Sequence, residues 1–231
     1  MEAIVLAGGL GTRLASRLQG VPKPMAPIAG RPFLEILLGR LRRSGCTRVL
    51  LSVGHLHTVI SDYFGTTWQG MAIEYVIEDT PMGTGGAIRM ALAKAQEDAV
   101  LVLNGDTFLE MDYAAALASH QASGADVTLS ITPQEDIARY GEVVTDGNRV
   151  TGFTEKGRSG PGWINGGVYV LPKSLQWPEH LPEKFSFETN FLVPDVDSYR
   201  FAPFRVEGFF LDIGVPEDLD RAQVLLATDA R

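Results

Sequence analysis

Ala3-Ile4-Val5-Leu6-Ala7 is an unbroken apolar run that stops at Gly8-Gly9, and it opens an alternation of strand-like and helix-like segments. A strand apolar at every position has to be covered on both faces, as happens in parallel sheets flanked by helices. Leu34, Leu37, Leu38 and Leu41 fall at i, i+3, i+4 and i+7, so the spacing predicts an amphipathic helix over 32–43, opened by Pro32 and closed by Arg42, Arg43 and Gly45. Strands are expected at 49–53, 73–77, 100–103 and 127–131, with helices at 56–64, 87–95 and 112–122. Glycines 83, 85 and 86 stand before the helix expected at 87–95. The first 130 residues thus predict a mainly parallel sheet covered on both faces.

After residue 130 the rhythm changes. Residues 142–155 read as a hairpin turning at Asp146-Gly147-Asn148, and further strands are expected at 168–171 and 209–213. A last helix starts near Pro216, with Glu217 and Asp218 in its first turn. With 231 residues, 45% of them hydrophobic, a single domain spanning 1–231 is expected, without an appended second one.

Charge and cysteine content exclude several classes. A net charge of −8 argues against general nucleic-acid binding, which needs a basic footprint, but leaves room for small anions held by a few placed cations. With Cys46 as the one cysteine no internal disulfide framework exists, and a reducing cytoplasm is expected. No stretch approaches the roughly 20 apolar residues that span a bilayer, and the amino terminus lacks a signal sequence's basic region, so no membrane partner is expected.

The first glycines sit where chemistry is expected. Leu6-Ala7-Gly8-Gly9-Leu10-Gly11-Thr12-Arg13 follows the first strand, and open α/β sheets bind ligands beyond the carboxyl ends of their strands. The loop has neither the Walker ending nor the dinucleotide spacing, so by its glycines alone it equally fits a plain turn. Arg13 adds a fork of donors suited to phosphate oxygens, and Pro22 and Pro24 stiffen the backbone around Lys23. Asp106 ends an apolar strand in Asn104-Gly105-Asp106, where it serves either the crevice or an Asx turn. Asp212 interrupts the apolar Phe209-Phe210-Leu211-Asp212-Ile213 run, which is costly unless the acid is paired or binds metal. Together the two aspartates make a candidate Mg²⁺ site, completed by substrate phosphates.

The Leu6–Arg13 loop, Pro22-Lys23-Pro24-Met25 and Gly30-Arg31-Pro32-Phe33-Leu34-Glu35 resemble the signature of the sugar-1-phosphate nucleotidyltransferase family. The resemblance implies a Rossmann-like α/β fold, with a mainly parallel mixed sheet flanked by helices and a small β-rich sugar-binding part. Residues 1–130 would form the nucleotide-binding half and 131–231 the sugar-phosphate-binding half. It assigns nucleotide contacts to Leu6, Ala7, Gly8, Gly9, Gly11, Thr12, Arg13, Gly83 and Gly85, catalytic roles to Arg13, Lys23 and Asp106, and the metal to Asp106 and Asp212. Phe153-Thr154-Glu155-Lys156 and Ile164-Asn165-Gly166-Gly167 match the sugar side. There Lys156 would grip the sugar phosphate, while Glu155, Asn165 and Gly166, with Glu188 as a further candidate, would meet the sugar. Without the resemblance, Glu155-Lys156 reads as a surface charge pair and Asn165-Gly166 as a turn.

One departure is visible: many relatives carry Pro-Leu-Thr soon after the arginine, where this chain has Ala15-Ser16-Arg17-Leu18. Within the family, Arg139-Tyr140-Gly141 and Lys184-Phe185-Ser186-Phe187-Glu188 are most similar to guanylyltransferases acting on D-glycero-α-D-manno-heptose 1-phosphate. That implies GTP and a sugar 1-phosphate as partners. A uridylyltransferase for an amino-sugar 1-phosphate, a mannose 1-phosphate guanylyltransferase and a non-catalytic NDP-sugar sensor remain open, as does a homo-oligomer. A nicotinamide dehydrogenase lacks its fingerprint here. The scattered histidines predict no zinc site, Cys46 reads as a buried structural thiol, and Trp163 as core or pocket wall.

Overall fold

The computed structural model describes residues 1–9, 11, 14–18 and 20–227, leaving aside the side chains of Ala15 and Ser16. In chain order the elements are β1 (Glu2–Leu6), α1 (Ala15–Leu18), a 3-10 turn (Lys23–Met25), β2 (Pro27–Ile28), β3 (Arg31–Pro32), α2 (Phe33–Arg43), β4 (Arg48–Val53) and α3 (His57–Phe64). Then follow β5 (Thr67–Trp68), β6 (Met71–Ile77), α4 (Gly83–Leu92), β7 (Ala99–Asn104), β8 (Thr107–Leu109), α5 (Tyr113–Ser123) and β9 (Val127–Gln134). The remainder is β10 (Val143–Asp146), β11 (Arg149–Phe153), β12 (Gly162–Pro172), a π-helical turn (Phe187–Leu192), β13 (Phe201–Arg205), β14 (Phe210–Asp212) and α6 (Pro216–Leu225).

The main sheet runs β13-β9-β12-β7-β1-β4-β6-β5. Strands β7, β1, β4 and β6 are mutually parallel, β13 is parallel to β9, and β12 lies antiparallel between β7 and β9. The expected mixed, mainly parallel α/β sheet is therefore present. Its apolar strands feed two cores, one on each face. Ala3, Val5, Val49, Leu51, Leu101 and Leu103 point to the face covered by α2, α3 and α5, while Ile4, Leu50, Val100 and Val102 point to the other. That second face is closed by α4 and by the aromatic run Phe185, Phe187, Phe191 and Phe201. Among the described residues no helix is long and apolar enough to cross a membrane.

A third core lies off the sheet, at the site's end of the molecule. Leu14 and Leu18, Phe33 and Leu37 of α2, Phe108, Leu211 and Ile213, and Leu219 and Ala222 of α6 pack together there. This cluster fastens the β8–β14 ribbon and the carboxyl-terminal helix to the segment that carries Lys23.

Two expectations need correcting. Gly83, Gly85 and Gly86 do not precede a helix but form the first turn of α4, which ends at Leu92 rather than 95. Asn165-Gly166 is no turn: β12 starts at Gly162, and its pairing with β9 shifts register between Asn165 and Tyr169. The edge strand β13 carries Pro203 and no apolar–polar alternation, β8 has only three residues, and their partners β9 and β14 decide them.

His120 of α5 is buried, with Nδ1 2.9 Å from the Thr128 hydroxyl of β9. Burial lowers its pKa below the ordinary 6.5. The folded state therefore favours neutral imidazole, so the stability it contributes is full above pH 6.5 and is lost as the pH falls. Between about pH 7 and pH 5 the Tm of the native chain is expected to fall more steeply than that of His120→Gln. Parallel Tm curves for the two proteins would rule this out.

Candidate active site

The glycine loop leaves β1 at the carboxyl edge of the parallel strands. Gly8, with Gly54, His55 and Glu78, lines a cavity of about 460 Å³. Gly9 and Gly11 line a smaller one of about 190 Å³ with Pro22 and His55. A side chain at Gly8 would stand 2.7 Å from a Glu78 carboxylate oxygen, so the glycine gives this acid its place. Glu78 is held by the Ser52 hydroxyl at 3.1 Å and the Met82 amide at 2.9 Å.

Leu6 and Ala7 tie the strands of the sheet together. The Leu6 carbonyl accepts from Gly105 N–H at 3.0 Å, and Ala7 N–H donates to the Ser52 carbonyl at 2.7 Å. These groups lock β7, β1 and β4 together and line neither cavity. Thr12 and Arg13 lie outside the described residues.

Gly83 and Gly85 are packed against another stretch of the chain. The Gly85 N–H donates to the Phe185 carbonyl at 2.9 Å, and a side chain there would overlap the Phe185 ring. At Gly83 it would come within 2.5 Å of the same carbonyl. Both glycines let the 183–187 segment lie on α4.

Lys23 reaches the centre from its proline-flanked turn. Its Nζ is 2.5 Å from Asp106 Oδ2 and 4.0 Å from Asp212 Oδ1, and its side chain is 13% exposed. Asp106 stands two residues past the end of β7, and the β8–β14 ladder, with Asp212 opposite Thr107, brings the second acid beside it. The amide of Ile213 donates to the Asp106 carbonyl at 3.0 Å and closes the arrangement. Burial first and the neighbouring Asp106 second push the Asp212 pKa above 3.8, partly offset by Lys23.

No group of three or more metal-ligating side chains occurs among the described residues. Two converging carboxylates with a single ammonium fit a hard divalent cation that takes its other ligands from phosphate and water.

Asp212 also lines a large cavity, about 630 Å³, which holds Glu155, Lys156, Asn165 and Glu188 together with Tyr140, Gly141, Thr107 and Ser186. Glu155 and Lys156 are exposed at its mouth. Gly166 is not part of it: it is buried, and a side chain there would meet Leu109 at 2.7 Å and the Ser130 hydroxyl at 2.8 Å. The neighbouring Gly167 lines the cavity instead. Asn165 accepts from Gly167 N–H at 3.0 Å and donates to the Tyr169 hydroxyl at 2.7 Å.

Sequence reasoning missed Glu78 and Tyr140 as cavity walls. Glu78 ends the apolar strand β6 as Asp106 ends β7, so the strand-end rule that found one would have found the other. Tyr140 stacks edge-on against Phe210, a contact invisible without the tertiary structure. His55, dismissed as a metal ligand, nevertheless lines both cavities beside the glycine loop.

The chain matches the Nucleotidyl transferase family over residues 2–228. It is 44% identical to the D-glycero-alpha-D-manno-heptose 1-phosphate guanylyltransferase of Aneurinibacillus thermoaerophilus, over 96% of this chain and 97% of that protein. The enzyme of the same name from Campylobacter jejuni is 42% identical over 94% and 96% of the two chains. The crystal structure of HddC from Yersinia pseudotuberculosis complexed with GMP-PN, 38% identical, superposes with a TM-score of 0.84 over 96% of this chain and 97% of that one. With its glycine loop, lysine and paired aspartates gathered at one rim of such a sheet, this chain belongs to the nucleotidyl transferase family.

Proposed function

We propose that the protein transfers GMP from GTP to D-glycero-α-D-manno-heptose 1-phosphate, forming GDP-heptose and pyrophosphate. The observation that carries the reading is the position of Lys23. Its ammonium joins both aspartates, its Cβ is 3.1 Å from where a side chain on Gly11 would begin, and Asp212 opens into the large cavity. A cation at this junction stands between a glycine-lined nucleotide side and a polar sugar side. The names and coverage of the most similar relatives supply the GTP and the heptose.

The attacking atom is a phosphate oxygen of the sugar 1-phosphate. A phosphate monoester's second pKa is about 6, so this oxygen is already largely ionised and needs no general base. It forms a bond to the α-phosphorus, and the bond to the bridging oxygen breaks, the electron pair leaving with pyrophosphate. The main barrier is repulsion between two polyanions. Lys23, Arg13 and Lys156 offset it, Lys23 at the reacting phosphate and Lys156 at the sugar phosphate. A Mg²⁺ held by Asp106 and Asp212 would supply further charge neutralisation at the phosphate oxygens.

Glu78 favours guanine among the bases. Guanine offers two adjacent donors on its Watson–Crick edge, which a carboxylate accepts as a pair, whereas uracil sets one donor between two acceptors that a carboxylate repels. Residues 1–130 supply the nucleotide side of this scheme, and the large cavity is built mostly from 131–231.

Pyrophosphate release from a matrix of four nucleoside triphosphates against several sugar 1-phosphates is expected to peak at GTP with the heptose. A peak at UTP with an amino-sugar phosphate would overturn the assignment. Lys23→Ala and Asp106→Asn are expected to lower kcat by at least about 10²-fold while both proteins stay folded by circular dichroism. Near-normal turnover in either would remove the assigned role.

For Asp212 the sign of the stability change is opposite to that of activity. A carboxyl whose folded pKa is raised stabilises the fold while protonated and loses that contribution as the pH rises through the folded value. Metal-free Asp212→Asn should therefore melt higher than the native chain at neutral pH, with the gain vanishing as the pH falls to the ordinary 3.8. A gain independent of pH, or a loss at neutral pH, would contradict it.

A further inference from the structure

Behind the large cavity lie two hydroxyls, those of Tyr169 and Thr84, whose residues do not line it. The Tyr169 side chain is 1% exposed in β12. Its hydroxyl donates to Glu188 Oε1 at 3.0 Å and accepts from Asn165 Nδ2 at 2.7 Å. The other Glu188 oxygen accepts from the Thr84 hydroxyl at 3.0 Å and from Ser186 at 3.3 Å. Thr84 Oγ1 in turn accepts from the Phe187 amide at 2.8 Å. Each hydroxyl both donates and accepts, so the directions of the whole set are fixed.

We propose that Tyr169 and Thr84 are positioning residues that set Glu188 and Asn165 for recognition of the sugar. The inference rests on the reading of the large cavity as the sugar pocket. Burial with the Glu188 carboxylate nearby raises the Tyr169 pKa well above 10.0, which keeps the phenol a donor. Glu188, half-buried, accepts one of these hydroxyls on Oε1 and two on Oε2, and keeps the second lone pair of Oε1 for a ligand. A carboxylate free to rotate would lose part of its affinity to ordering on binding, and a fixed one does not.

Thr84 gives the network a second end. It is the second residue of α4, and the adjoining Met82 binds Glu78 through its amide at 2.9 Å and Phe185 through its carbonyl at 3.0 Å. Hydrogen bonds joined by short stretches of backbone thus link the acid beside Gly8 to the acid in the sugar pocket. The orientation of Glu188 is set from the nucleotide side as well as from β12.

Steady-state kinetics on the full chain separate positioning from simple support. Tyr169→Phe and Thr84→Val are each expected to raise the KM for the sugar 1-phosphate by about tenfold, with the KM for the nucleotide unchanged. Thr84→Ser is expected to restore the native value. Adding Tyr169→Phe to Glu188→Gln should raise KM little further, because both changes break one unit. An unchanged sugar KM in both single variants, or nucleotide and sugar KM rising together with a fall in Tm, would overturn the positioning role. A native chain that releases no pyrophosphate with any sugar 1-phosphate would sink the underlying reading and the inference with it. Normal native turnover with indifferent variants sinks the inference alone.

Discussion

Two carboxylates and one ammonium meet where β1 and β7 end, and much of the molecule is arranged to hold them there. Carboxylates crowded at a partly buried site repel each other, and Lys23 answers only part of that. The result is visible in Asp212, whose proton is held more tightly by burial first and by the neighbouring Asp106 second. The fold imposes the arrangement through groups that carry no charge. The β8–β14 ladder fixes Asp212 opposite Thr107, Gly105 N–H ties the end of β7 to Leu6, and the third core anchors α6 and the Lys23 segment. A negative surplus built at such expense is a poor device for stability and a good one for drawing in a divalent cation.

The same economy explains which glycines and amides serve a ligand. A backbone N–H already donating inside the protein has no proton left for a phosphate or base. Ala7 and Gly85 are spent in this way, on Ser52 and Phe185, and Gly166 is closed off by Leu109 and Ser130. Gly9 has open space where a side chain would project, and it lines a cavity with Gly11 and Pro22. A glycine-rich motif therefore contains two populations, one that admits a ligand and one that admits another stretch of the same chain.

This is also where the sequence stopped being readable. The parallel strands β1, β4, β6 and β7 and the helices α2, α3 and α5 were legible because each buries a whole face and must repeat its apolar period. Lys23, Asp106 and Asp212 were legible because a charge beside prolines or at the end of an apolar strand has few structural uses. What covers Gly83, Gly85 and Gly166 was not legible because Phe185 and Leu109 are distant in sequence. Tyr169 and Thr84 gave no signal at all: one reads as a strand residue and the other as a helix start. Their partner Glu188 is 19 residues from Tyr169 and 104 from Thr84.

A net charge of −8 sits oddly with two polyanionic substrates until distance is considered. At physiological salt a surface charge is felt over only about 8 Å, so the acidic exterior governs solubility more than binding. In the proposed reaction a phosphate meets local charge: the ammonium of Lys23, whose side chain is 13% exposed, and Lys156 at the cavity mouth. Lys23, largely shielded from water, acts through a lower effective dielectric and is less screened than the carboxylates outside. The acidic exterior then has a use of its own, since it leaves the crevice as the favourable destination for an anion and discourages adventitious binding of nucleic acid elsewhere on the surface.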